Sequence, residues 1–74
     1  MDVRILLGER IKQLRMDKGM SQKDLAYEAD LDRSYIASVE NGQRNVSIVN
    51  IEKIATALGV SLRKLFQDGG FDQH

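Results

Sequence analysis

The chain has 74 residues, with 11 Lys plus Arg balanced by 11 Asp plus Glu, one His, no Cys and no Pro. That length supports one domain over residues 1–74 with a small core, and the absence of Cys excludes a disulfide framework and a thiolate metal site. Zero net charge excludes a surface that is basic all over, so a nucleic-acid reader of this composition must gather its cations on one face.

Helix punctuation recurs along the chain, with Ser or Asp at starts and Gly at ends. The spacing of Leu7, Ile11 and Leu14 predicts a first helix over about residues 3–18, ended by a left-handed Gly19. Ser21 caps a second helix, and Asp24 completes a capping-box variant. Leu25, Ala26 and Ala29 form its inner face, and a break at Asp30 and Leu31 follows. Asp32 caps a third helix over about residues 33–41, stopped by Gly42. Gln43, Arg44, Asn45 and Val46 read as a loop. Ser47 caps a fourth helix over about residues 48–58, closed by Gly59, with Ile48, Ile51, Ile54, Ala55 and Leu58 on its buried side. Ser61 caps a short fifth helix over about residues 62–67, ended by Gly69 and Gly70, and residues 69–74 are expected to be a flexible tail. No segment alternates strictly, so the expected architecture is a compact all-α domain of five helices.

Apolar runs are short and broken by charge, which argues against a membrane span, and the first seven residues do not compose a signal peptide. The lack of Cys fits a reducing cytoplasm. The acids are scattered, the lone His is residue 74, and no nucleophile–base pairing is evident, so no catalytic residue, metal, cofactor or small-molecule ligand is expected.

Two short helices joined by a tight turn form a helix-turn-helix unit. At 100° per residue, Tyr35, Ile36, Val39 and Glu40 of the third helix fall in one arc of roughly 140°, while Arg33, Ser34, Ala37, Ser38 and Asn41 fall in another of similar width. The second face is small, polar and free of acids. Small side chains permit close approach to a groove floor, Arg pairs with guanine O6 and N7, and Ser bonds either base type. A solvated amphipathic helix would show a polar face as well, so this helix alone leaves both readings open. Tyr35 either packs at the core edge or reaches a phosphate. Gln22 and Lys23 open the second helix, where free N–H groups attract phosphate, and an ordinary exposed first turn would read the same way. Arg44, Asn45, Ser47 and Asn50 follow the third helix and could grip the backbone on the other side of the groove.

Ser21-Gln22-Lys23-Asp24-Leu25-Ala26, Tyr35-Ile36, Val39-Glu40-Asn41-Gly42, Ile51, Ile54-Ala55, Leu58-Gly59-Val60-Ser61 and Leu65-Phe66 resemble the Cro/C1-type (Xre-like) helix-turn-helix domain over about residues 9–66. The resemblance implies a lambda-repressor-like fold that binds double-stranded operator DNA. It implies base-reading positions at Arg33, Ser34 and Ser38, with Ala37 on the same face. It implies phosphate contacts from Gln22 and from Asn41, Gln43 and Arg44, and an ion pair between Arg15 and Glu40. Leu31-Asp32-Arg33-Ser34-Tyr35-Ile36 with Arg44-Asn45 is similar, more narrowly, to the controller proteins of restriction–modification systems, which implies a stand-alone homodimer timing endonuclease expression. In related proteins the fourth and fifth helices make the two-fold contact, so Val49, Ala57, Val60 and Leu62 are expected at the dimer interface, although some of them could instead complete the monomer core. A phage-type or stress repressor and an antitoxin or other protein-interaction module remain as alternatives on the same scaffold.

Overall fold

The computed structural model describes residues 2–67, 70 and 71. Its five helices are α1 (Val3–Asp17), α2 (Gln22–Ala29), α3 (Arg33–Glu40), α4 (Ile48–Ala57) and α5 (Leu62–Leu65), with no strand among the described residues.

Local chemistry explains most of the boundaries. Ser21, Ser47 and Ser61 each accept from the backbone N–H three residues on, which satisfies a donor that a helix start leaves free. Asp24 returns a bond to the Ser21 N–H at 2.9 Å, completing the capping box at α2. Asp2 caps α1 by accepting from the Arg4 N–H. Gly19, Gly42 and Gly59 take positive φ at the ends of α1, α3 and α4, as the punctuation predicts. Asp30 adopts the same left-handed conformation between α2 and α3, which an Asx side chain tolerates.

Four expectations need correction. Asp32 stands at the N-cap position of α3, but its side chain makes no capping hydrogen bond. The fifth helix ends at Leu65 rather than near residue 67. Ile48 is 66% exposed instead of buried, because it starts α4 beyond the edge of the core. Phe71 is not part of a flexible tail: its ring meets Phe66 edge-on at 5.1 Å and it packs partly buried against the core. Gly69 and residues 72–74 of the expected tail lie outside the described residues.

One core joins the helices. Ile11, Leu25, Ile36, Ile54 and Leu65, one from each helix, are fully buried together with Leu58 at the C-cap of α4, with Val39 beside them. Helix α3 crosses α1 closely at Gly8, where a Cβ would run into the Val39 and Glu40 carbonyl oxygens. Leu7 and Ile11 lie on the α1 stripe, and Leu14 packs partly buried against the core.

A polar knot locks the same crossing. Arg15 donates from Nε to Glu40 Oε2 at 2.7 Å and from Nη2 to Glu40 Oε1 at 3.1 Å. Its Nη1 donates to the Met20 carbonyl at 2.8 Å, and Gln22 Nε2 donates to Glu40 Oε1 at 3.1 Å. The side chains of Arg15 and Glu40 are 11% and 2% exposed, so the pair is shielded from water. The Glu40 hydrogen bonds hold the Arg15 guanidinium more firmly protonated than usual.

Removing one partner strands a buried charge, so Arg15→Ala and Glu40→Ala should each cost ~3–5 kcal/mol in chemical denaturation, and replacing both by apolar residues should cost less than either. A loss under ~1 kcal/mol would contradict a buried pair. Bonds from Ser21, with the Lys23 charge, hold the Asp24 carboxyl below its usual range. Its folded form therefore releases its proton more readily than the unfolded form. The resulting stabilisation is present above the ordinary carboxylate range and disappears as pH falls through the depressed value. Asp24→Asn should accordingly show a shallower loss of stability below about pH 4 than the parent chain, read from melting temperature against pH.

Candidate nucleic-acid interface

Helix α3 is set with Ile36 and Val39 in the core and Glu40 in the knot, which turns its opposite flank outward. Arg33, Ser34 and Asn41 are exposed, while Ala37 and Ser38 are half-buried between them. The outward flank therefore carries a guanidinium, a hydroxyl and small side chains at the N-terminal end of the helix, the end that approaches base edges in helix-turn-helix docking.

The flanking elements are anchored to α3. Gly42 N–H bonds the Val39 carbonyl at 3.0 Å and Gln43 N–H bonds the Ser38 carbonyl at 3.0 Å, so the loop leaves α3 along a fixed path. Arg44 folds back over α3. Its Nε donates to Ser38 Oγ at 3.0 Å, and its guanidinium carbon stands 5.3 Å from the Tyr35 ring centre. Asn50 of α4 donates from Nδ2 to the Tyr35 hydroxyl at 3.2 Å. Ser38, Tyr35, Arg44 and Asn50 thus form one connected group across α3, the loop and α4. Gln43, Asn45 and Ser47 are exposed alongside it.

At the other side, Gln22 is half-buried and tied through its amide to Glu40, while Lys23 is exposed beside it on the first turn of α2. Lys23, Arg33 and Arg44, on α2, α3 and the following loop, are all exposed. Among the described residues no group of three or more His, Asp or Glu side chains could hold a metal ion.

Several predicted residues do work that spacing alone does not show. The Ser38 hydroxyl donates to the Tyr35 carbonyl at 2.8 Å and accepts from Arg44, so it is engaged within the chain. Gln22 likewise spends one amide N–H on Glu40. Tyr35 follows the first of its two sequence readings in packing its ring against the core, and its hydroxyl accepts from Asn50. The candidate dimer residues divide: Val49 is 60% exposed, whereas Ala57, Val60 and Leu62 are partly buried against the core. Sequence reading missed Arg10, which is buried and donates to the Leu65 and Lys64 carbonyls. Its signal was present, since Arg10 falls on the α1 stripe, three residues after Leu7 and four before Leu14.

Known proteins share the sequence pattern and the fold. A helix-turn-helix family model, HTH_3, matches residues 11–65. Control protein C.MunI of a Mycoplasma species is 50% identical over 68 residues, covering 90% of this chain and 92% of that protein. The crystal structure of the restriction-modification controller protein C.AhdI from Aeromonas hydrophila superposes with a TM-score of 0.86 at 52% identity, over 89% of this chain and 100% of that one. The controller protein C.Esp1396I, solved as a tetramer in complex with its natural 35-base-pair operator, superposes with a TM-score of 0.85 at 39% identity, over 90% of this chain and 88% of that one. Among the described residues no helix is long and apolar enough to cross a membrane. With its helix pair, exposed α3 flank and likeness along nearly its whole length, the chain belongs to the helix-turn-helix family, among the restriction–modification controller proteins.

Proposed function

We propose that this chain is a sequence-specific transcriptional regulator that binds a roughly palindromic operator as a homodimer, and that it is the controller protein of a restriction–modification system acting in the cytoplasm. The observation that carries the reading is the outward flank of α3, where Arg33 and Ser34 stand free at the helix N-terminus. The chemistry required is recognition rather than catalysis. Arg33 pairs with a guanine edge in the major groove, Ser34 bonds a neighbouring base, and Ala37 lets the helix backbone approach. Ser38 lies on the same flank and acts chiefly by steadying Arg44.

Phosphate contacts position this reader. The first turn of α2 offers free N–H groups, the second amide N–H of Gln22 and the Lys23 ammonium to one strand. Asn41, Gln43, Arg44, Asn45, Ser47, Asn50 and the Tyr35 hydroxyl address the other. Two copies related by a two-fold axis through α4 and α5, with Val49, Ala57, Val60 and Leu62 at the contact, would place two α3 helices about one DNA turn (~34 Å) apart.

Duplexes enriched from random sequence by this protein supply the test. Against the enriched sequence, Arg33→Ala should weaken binding by ~1–3 kcal/mol and relax preference at one base position in each half-site. Arg44→Ala should weaken all sequences about equally and lower the salt slope by roughly one unit per subunit. Unchanged specificity in Arg33→Ala would remove Arg33 as the reader. A loss confined to one base position in Arg44→Ala would make that arginine a base reader instead.

A further inference from the structure

Arg10 is 9% exposed and reaches from α1 to the end of α5. Its guanidinium donates from Nε to the Leu65 carbonyl at 3.0 Å and from Nη2 to the Lys64 carbonyl at 2.9 Å. These carbonyls end α5, a helix of four residues. A single turn cannot hold itself together in water, and its last carbonyls need partners from outside. Ser61 fastens the start of the turn through the Lys64 N–H, Leu65 anchors its inner side at 0% exposure, and Arg10 fastens its end.

We infer that Arg10 is a positioning residue for subunit association: by clamping the end of α5 onto α1 it fixes the α4–α5 surface on which a second copy docks. This rests on the homodimer reading above. A buried guanidinium costs desolvation that an apolar side chain on the same stripe would avoid, so its presence points to the orientation it imposes. The fork reaches two successive carbonyls at once, which a single ammonium on a flexible stem does not reproduce. What it orients is the segment carrying Val60 and Leu62, next to Ala57 at the end of α4. The reading head has a separate fastening, the Arg15–Glu40–Gln22 knot, so the two functions of the chain hang from different arginines of α1.

The test is sedimentation equilibrium of the full chain, with urea denaturation of each variant so that the association constant is counted on folded protein. Arg10→Met should raise the dimer dissociation constant at least tenfold, and Arg10→Lys, which keeps the charge and one donor direction, should fall between it and the parent. Hydrogen exchange should rise in residues 60–66 while the α2–α3 unit keeps its protection. If Arg10→Met does not fold, Arg10→Lys decides alone. Variants that lose stability yet associate like the parent would overturn the inference and leave the dimer standing. A parent chain that is monomeric at tens of micromolar would overturn both, and the parent's own data would identify that case.

Discussion

Glu40 accepts from three donors' worth of neighbouring structure, two nitrogens of Arg15 and the amide of Gln22, while Arg15 reaches on to the Met20 carbonyl. This knot ties α1, the turn after it, the start of α2 and the end of α3 into one body. Apolar burial of Ile36 and Val39 is non-directional and sets the rotation of α3 only through packing. A bidentate carboxylate contact is directional, since both oxygens must meet their donors in plane. The rotation of α3 is therefore fixed, and with it the direction of every side chain on the outer flank.

The neutral composition follows the same logic. Three acidic side chains cap or pair: Asp2 at α1, Asp24 at α2 and Glu40 in the knot. The face bearing Arg33, Ser34, Ala37 and Ser38 contains no acid. A chain with zero net charge can thus keep acids off one face, and a DNA reader of that kind would depend on matching sequence more than on bulk attraction. Arg44 is ordered within the free chain, because it rests on Tyr35 and Ser38 and does not sweep free solvent. Ordering it in advance reduces the entropy lost on binding.

Much of this was legible in the sequence because it is local. Ser21, Ser47 and Ser61 announce helix starts and Gly19, Gly42 and Gly59 announce ends through backbone chemistry that needs no tertiary information. The arcs of α3 separate its buried and outer flanks for the same reason, whereas the pair of Glu40 with Arg15 came from the family resemblance, which the position of Glu40 at the arc edge favoured. What escaped depends on how helices meet. Gly8 looks like a helix weakener until α3 is seen crossing at van der Waals contact. Ile48 fits the apolar arc of α4 but lies past the end of the core. Phe71 reads as tail until Phe66 supplies a ring to pack on. Arg10 was a charge within an apolar stripe, and only the end of α5, 54 and 55 residues away in sequence, explains it.

DNA bound by this chain should cover the outer flank of α3. Backbone amide spectra of the labelled protein, titrated with a duplex it selects from random sequence, examine that directly. Residues 33–38, the first turn of α2 and the loop 43–47 should shift most, with α1 outside the Arg15 region nearly still. Dominant shifts along the exposed side of α1, with α3 unmoved, would contradict it.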